Sequence, residues 1–362
     1  MGGGRSRKVH ETLSGERRGL GASLARLSLL PLSWLFRLGS WGRSRLYDVG
    51  VLRQQHVEAP VLSIGNLTAG GTGKTPLAIH LAARALAAGK RVAVLSRGWG
   101  GEGGEAIRNE EGALLAQRVP DAVVLQGGDR VALARTAIRQ HGCDLILLDD
   151  GFQHRRLARD FDLVVVDATC PLGYGHFLPR GLLREGPAAL RRATGIVISR
   201  ADQVEPDALA ALRTTLERCA PGCAIVASRH RPVGLRGLDG RHGPPLSDLK
   251  GHEVVLVSAV GNPQAFERTV RALGAHVQGH EAWPDHYRYG EADVLRLSRL
   301  PSPAGVPWIV TTEKDAVKLF RWRSLLSPRF PLWALEIEFE LLEEIPGLEG
   351  LLVGSRPSAA RI

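Results

Sequence analysis

Short β-branched and leucine-rich runs recur at Val61–Gly65, Arg91–Arg97, Leu145–Asp150, Leu163–Ala168, Gly195–Arg200 and Ala224–Ser228. Each is bounded by turn residues and predicts a buried strand. Helix-like stretches separate several of them, the alternation expected of a parallel sheet covered on both faces. In such sheets ligands gather at the carboxyl ends of the strands. From Arg231 to Leu249 the chain turns rich in Gly, Pro, Asp and Arg, with Gly243-Pro244-Pro245 as its clearest breaker, and reads as a link between lobes. A second set follows, with strands predicted over Val254–Val260, Trp308–Thr311 and Leu332–Phe339 and helices over Pro263–Leu273 and Lys314–Phe320. The organisation predicted is an N-terminal segment over 1–45, an α/β domain over 46–242, a smaller α/β lobe over 243–345 and a loose tail over 346–362.

The N-terminal segment has its own rhythm. Residues 1–18 are basic and Gly-rich, and Leu20, Leu24, Leu27, Trp34, Leu38 and Trp41 then follow in steps of three and four, with Pro31 filling one place. This is an amphipathic helix. Arg26 and Arg37 limit the uncharged run to ten residues, about half of the ~20 that a spanning helix needs. A basic flank, two tryptophans and a leucine stripe fit a helix lying in an anionic membrane interface. The same stripe also fits a core helix packed on the α/β domain.

Composition adds one constraint. The formal charge of +10 implies anionic partners: nucleic acid, nucleotide, phosphorylated substrate or an acidic membrane face. Aromatic content of 5%, without interleaved basic and aromatic residues, argues against nucleic acid, and no protein partner is identifiable. Cys143, Cys170, Cys219 and Cys223 lack the spacing of a zinc set and read as buried thiols in a reducing compartment.

The chemistry concentrates at strand ends. Thr68-Ala69-Gly70-Gly71-Thr72-Gly73-Lys74-Thr75 lies between the Val61–Gly65 strand and a helix expected from Pro76 to Ala88. It reads as a phosphate loop: the backbone amides and Lys74 hold ATP phosphates, and the Thr75 hydroxyl ligates Mg²⁺. The usual pattern asks for glycine at the position of Thr68, and Gly70 and Gly71 supply the flexibility instead. Asp149-Asp150-Gly151 ends the Leu145 strand, where a phosphate-loop protein keeps its metal carboxylate. Asp149 is the predicted ligand, Asp150 a second ligand or a base, and Gly151 the residue that permits the turn. Glu185 follows Arg184 in a Gly- and Pro-rich loop suited to metal and phosphate together, or simply to solvent. Arg97, in Ser96-Arg97-Gly98-Trp99-Gly100-Gly101, would sit near the phosphates or the acceptor, or would cap the surface. His286, beside Asp285, has the ingredients of a proton acceptor or of a structural histidine.

Six blocks, taken together, resemble a known family: Ser63–Pro76, Leu95–Gly98, Asp149–His154, Leu183–Glu185, Pro284–His286 and Thr312–Lys318. Their order is that of the tetraacyldisaccharide 4′-kinases of lipid A biosynthesis. The resemblance runs from about Leu46 to Phe339. It implies ATP- and Mg²⁺-dependent phosphorylation of the 4′-hydroxyl of an acylated disaccharide 1-phosphate by a peripheral protein at the cytoplasmic face of the bacterial inner membrane. It also implies a magnesium environment of Thr75, Asp149, Asp150 and Glu185, and an acid–base pair that includes His286. The family carries the partner aspartate in a Gly-Asp-Glu-Pro run, for which this chain has Asn109-Glu110-Glu111-Gly112, so Glu110 replaces it. A rival reading is a regulatory or partitioning NTPase without a lipid acceptor. Such proteins commonly carry a signature lysine where this chain has Ala69, and Ser199-Arg200-Ala201-Asp202 only faintly matches a guanine-reading motif.

Overall fold

The computed structural model describes residues 12–15, 17–98, 109–297, 308–326 and 332–354. They divide into two compact units: Leu20–Arg229 with the chain from Phe339 onward, and a second built chiefly on His230–Glu338.

The first unit opens with helix α1 (Leu20–Asp48) and continues through β1 (Val61–Gly65), α2 (Lys74–Ala87), β2 (Val92–Ser96), α3 (Glu110–Arg118), β3 (Val123–Gln126), α4 (Arg130–His141), β4 (Leu145–Asp149), β5 (Phe161–Asp167), β6 (Gly195–Ser199), α5 (Pro206–Cys219) and the start of β7 (Ala224–Gly237). Its strands lie in the order β3-β2-β4-β1-β5-β6-β7 and pair in parallel. Continuous apolar runs form these strands because both faces are covered. Leu77, Leu81 and Ala85 of α2 pack with Leu62, Ile64, Leu145 and Leu147 on one side, and Val131, Ala134 and Ala137 of α4 pack with Ala93, Leu95, Ile146 and Leu148 on the other. The register aligns Ile64 with Asp149 and Leu95 with Leu148, which brings the carboxyl ends of β1, β2 and β4 to one edge.

The second unit takes up β7 and adds β8 (Glu253–Ser258), α6 (Pro263–Ala272), β9 (His276–Ala282), α7 (Glu291–Leu297), β10 (Trp308–Thr312), α8 (Glu313–Leu319) and the first part of β11 (Leu332–Leu341). Its strands β11, β10, β8 and β9 pair in parallel in that order.

Two boundaries differ from expectation. The units divide at Arg229 and His230 rather than at 242 and 243, because the presumed link from Arg231 continues as strand through Gly237. Within the second unit its arginines meet the glutamates of β11, as Arg231–Glu338 and Arg236–Glu336 pairs. Opposite charges on facing strands let a polar stretch hold an extended conformation. Part of the expected tail is also structured. Leu348–Val353 forms helix α9 and buries Leu348, Leu351 and Leu352 in the same apolar cluster as Leu77 and Leu81, while residues 355–362 lie outside the described residues. Of the four thiols, Cys143 is buried and the other three are half-buried.

Helix α1 is amphipathic in an unusual sense. Leu20, Leu24, Leu27, Trp34, Leu38 and Trp41 are 58–86% exposed, and Ser33 is the one residue of the helix that is buried. The helix docks through its polar edge: Ser33 donates to the Phe177 carbonyl, Ser40 Oγ to the Arg184 carbonyl at 2.9 Å and Arg43 to the Gln153 carbonyl at 2.8 Å. Arg155 returns hydrogen bonds to the Ser44 carbonyl at 2.9 Å and to Asp48 at 2.8 Å. The apolar stripe is therefore not a core face. No helix among the described residues is long and apolar enough to cross a membrane.

Candidate active site

The phosphate loop leaves β1 at Gly65, where a Cβ would lie 2.4 Å from that of Phe152, so only glycine allows the two backbones to approach. It enters α2 through Gly73, whose φ of 97° is left-handed. Between them Asn66 Nδ2 donates to the Thr68 carbonyl at 2.6 Å and to Thr72 Oγ1 at 3.0 Å. Ala69 N donates to the Leu182 carbonyl at 2.7 Å, which ties the loop to the segment that carries Arg184 and Glu185. Two residues at the end of β6 complete the cradle. Ser199 Oγ donates to the Thr72 carbonyl at 2.7 Å, and Arg200, itself left-handed at φ 55°, pairs with Asp167 and donates to the Gly71 carbonyl at 2.8 Å. The Ser-Arg-Ala-Asp run thus shapes the loop instead of reading a base.

Thr75 Oγ1 donates to Asp149 Oδ2 at 2.9 Å. Asp149 is 2% exposed, and its Oδ1 is buried without a hydrogen-bond partner among the described residues. Burial first, and then the carboxylate of Glu111, push its pKa up. An orphaned carboxylate oxygen beside a threonine hydroxyl suits a hard divalent cation with oxygen ligands. Asp150 is treated differently. Its φ of 58° makes Asp150, rather than Gly151, the left-handed residue of the turn. Its carboxylate accepts two hydrogen bonds from Arg184, at 3.0 and 2.8 Å, and lies 3.5 Å from Lys74 Nζ. Burial by itself would raise its pKa, but Lys74 and Arg184 outweigh that and hold it well below the usual carboxylate range. Glu185, 7% exposed, binds Arg192 at 2.8 Å. Among the described residues no three carboxylates or imidazoles converge on one point, so Asp150 and Glu185 are not brought together with Asp149 as a common ligand set.

Glu110 begins α3, behind the Asn109 cap that accepts from Gly112 N at 2.9 Å. Gln126 anchors this turn to the strand ends, donating to Asn109 Oδ1 at 2.6 Å and to Ser96 Oγ at 2.9 Å. The neighbouring Glu111 acts electrostatically on Asp149, as do Lys74 and Asp150, and no motif singles it out. Arg97 is exposed at the end of β2, and Trp99-Gly100-Gly101 lies outside the described residues.

A cavity of about 730 Å³ has Asp150 on its wall. Arg43, Arg97, Arg130, Arg155 and Arg184 line it against Asp150 and Glu185, with Phe36, Gly39, Ser40 and Ser44 of α1 along one wall. Its cationic excess favours an anionic occupant. His154, also on the wall, is kept neutral: burial, followed by Arg130, Arg159 and Arg43, lowers its pKa to about 4.

His286 belongs to the second unit. It sits at φ 61° with Nε2 3.7 Å from Asp285 Oδ2, and Lys314 Nζ lies 3.1 Å from Asp285 Oδ1. Burial raises Asp285, but Lys314 and then His286 more than offset it and keep the carboxyl below the ordinary range. The Thr312–Lys318 block has a structural task. Asp315, fully buried, accepts from Ala259 N at 2.9 Å, Thr312 Oγ1 at 2.7 Å, Tyr289 OH at 3.1 Å and Lys318 Nζ at 2.9 Å.

With Thr75 joined to Asp149 across the tips of β1 and β4, the first unit is a nucleotide-binding protein of the phosphate-loop class. The description of the tetraacyldisaccharide-1-P 4′-kinase family matches residues 25–353, and the chain belongs to that family. It is 47% identical over 320 residues to the tetraacyldisaccharide 4′-kinase of Anaeromyxobacter dehalogenans strain 2CP-C, covering 84% of each chain. Against the tetraacyldisaccharide 4′-kinase of Syntrophus aciditrophicus the identity is 38% over 323 residues, covering 83% of this chain and 86% of the relative. Among solved structures, LpxK from Aquifex aeolicus in complex with ATP aligns at a TM-score of 0.69 with 28% identity, covering 91% of this chain and 98% of that one.

Proposed function

We infer that this kinase transfers the γ-phosphoryl group of ATP to the 4′-hydroxyl of a tetraacyldisaccharide 1-phosphate. The observation that carries the reading is a family match extending across both units, joined to a phosphate loop whose Thr75 and Lys74 meet Asp149 and Asp150. The rival regulatory NTPase accounts for the loop but not for that match.

In this reading the loop amides and Lys74 bind the β- and γ-phosphates, and Thr75 and Asp149 hold Mg²⁺. The ion, when bound, neutralises charge between those phosphates. The bond from the γ-phosphorus to the bridging oxygen of ADP breaks as the 4′-oxygen bonds phosphorus, and the hydroxyl proton passes to a base. Asp150 is a poor base because two cations stabilise its ionised form, so its role is to hold Lys74 and Arg184 in place. The proton acceptor is the acid–base pair that the family resemblance implies, His286 with Glu110, and Asp285 lies 3.7 Å from the His286 ring.

The acceptor occupies the arginine-lined cavity, with its acyl chains toward the exposed stripe of α1. That stripe and the basic flank before it lie in the anionic interface of the inner membrane at its cytoplasmic side, where ATP is available. The test is an assay of the purified chain with ATP, Mg²⁺ and tetraacyldisaccharide 1-phosphate in detergent micelles. Phosphorylation at the 4′ position that disappears in Lys74→Ala supports the reading, and hydrolysis of ATP indifferent to the lipid refutes it.

A further inference from the structure

Ser258, His280 and Glu267 form a chain of hydrogen bonds within the second unit that no sequence motif assigns. Ser258 Oγ lies 2.8 Å from His280 Nε2, and His280 Nδ1 lies 3.1 Å from Glu267 Oε2. Glu267 in turn accepts from Arg271 at 2.9 and 2.8 Å. A carboxylate can only accept, so Nδ1 carries the proton and Nε2 accepts from the serine hydroxyl. Burial keeps the ring below its ordinary pKa against the pull of Glu267, Asp315 and Glu281, which preserves Nε2 as an acceptor. The same order of groups activates the nucleophile of serine hydrolases. It does not do so here: Ser258 is fully buried, and the Ala259 amide, which would be the oxyanion donor, is taken by Asp315.

The relay ends instead on a corner of the backbone. The Ser258 carbonyl accepts from Trp283 N at 2.8 Å, the Ala259 amide donates to Asp315 at 2.9 Å, and the Ala259 carbonyl accepts from Lys318 Nζ at 3.1 Å. Two residues thus join the end of β8 to the end of β9 and to α8. Trp283 opens the turn that carries Asp285 and His286, and its ring stacks with that of Tyr287 at a centroid distance of 6.0 Å. From α8, Lys314 holds Asp285. His286 keeps a left-handed φ of 61°, which a residue other than glycine retains only where its surroundings over-determine it. We propose that Ser258, His280 and Glu267 are positioning residues, a relay that fixes the Ser258–Ala259 corner and through it the turn that presents His286 for proton transfer. This role rests on the reading above, in which His286 belongs to the acid–base pair.

Steady-state kinetics of the full chain with ATP, Mg²⁺ and tetraacyldisaccharide 1-phosphate test it, in a double-mutant cycle with His286→Ala. His280→Phe fills similar space without either hydrogen bond. It is expected to lower kcat about 10-fold, a cost that a small misplacement of reacting groups carries, with both KM values unchanged. His280→Gln, which restores an acceptor for Ser258, is expected to recover part of the loss. In the His286→Ala background the effect of His280→Phe should vanish, which general structural damage would not bring about. Wild-type kcat in His280→Phe overturns the relay, as does an equal loss in both backgrounds, or a loss that follows a lowered melting temperature and that glutamine does not relieve. Should His280→Phe fail to fold, Glu267→Ala, at a half-buried position of α6, decides by the same cycle. A wild-type chain that does not phosphorylate the lipid, or a His286→Ala chain with wild-type turnover, overturns the reading above and the relay together. A slowed His286→Ala chain beside an unaffected His280→Phe chain overturns the relay alone.

Discussion

Asp149 and Asp315 are both buried carboxylates beside a threonine, close to a strand end, yet the protein treats them in opposite ways. Asp315 has both oxygens filled, by a backbone amide, two hydroxyls and an ammonium group. Asp149 has one oxygen on Thr75 and the other on nothing among the described residues. A buried polar group without a partner costs free energy, so its persistence marks a place where something else is to bind. Completeness of hydrogen bonding therefore separates the structural carboxylate from the functional one, although burial alone would rank them together.

The largest effect expected is on turnover. Asp149→Asn should reduce kcat by about 10²–10³-fold while leaving the denaturation midpoint unchanged or raised, because an amide is cheaper than a carboxylate in an unpaired site. Chemical denaturation beside the kinase assay would show it, and a loss of stability matching that of the Asp315 variant would erase the distinction. Asp315→Asn should instead cost about 3 kcal/mol of stability, since Lys318 is left buried without its counter-ion. Urea titration of the full chain is the measurement. Lys314→Ala should have a smaller effect, about 10-fold on kcat with KM for ATP unchanged, through release of Asp285 beside His286. Equal changes in both parameters would argue against a positioning role.

The smallest effect concerns pH. His154 has a folded pKa of about 4, below the ordinary 6.5, so between those values the unfolded chain binds more protons than the folded one. Stability from this group therefore rises with pH over that window and is complete above it. His154→Gln should flatten the dependence of melting temperature on pH between 4 and 6.5, and an unaltered slope would show that the ring is already solvated.

Much of the site is legible in the sequence because its pieces are local. A phosphate loop needs consecutive residues between a strand and a helix, and Asp149-Asp150 ends an uninterrupted apolar run. What is not legible depends on residues distant in the chain. Arg200 acquires its task only because β6 ends next to the Gly71 carbonyl, and neighbouring letters alone suggest a base-reading motif. Arg130 lies in no recognisable block, and only the fold brings it to the cavity wall beside His154. Glu111 has no motif of its own, and its influence on Asp149 comes from the fold that brings the start of α3 near the end of β4. The stripe on α1 was legible as a stripe, but its direction was not: a periodic apolar face is the same string whether it meets a core or a lipid. Extension of β7 past Arg231 likewise required the glutamates of β11, about a hundred residues downstream.

The docking of α1 through serine and arginine donors onto main-chain carbonyls has a practical consequence. Water can replace such donors at little cost, whereas it cannot replace what the leucines and tryptophans on the opposite side require. Removing residues 20–48 should therefore leave the remaining nucleotide-binding body folded and easier to concentrate, while the intact chain self-associates in buffers that lack a surfactant. In the reading proposed above, solubility and catalytic competence on a lipid thus pull against each other in a single helix.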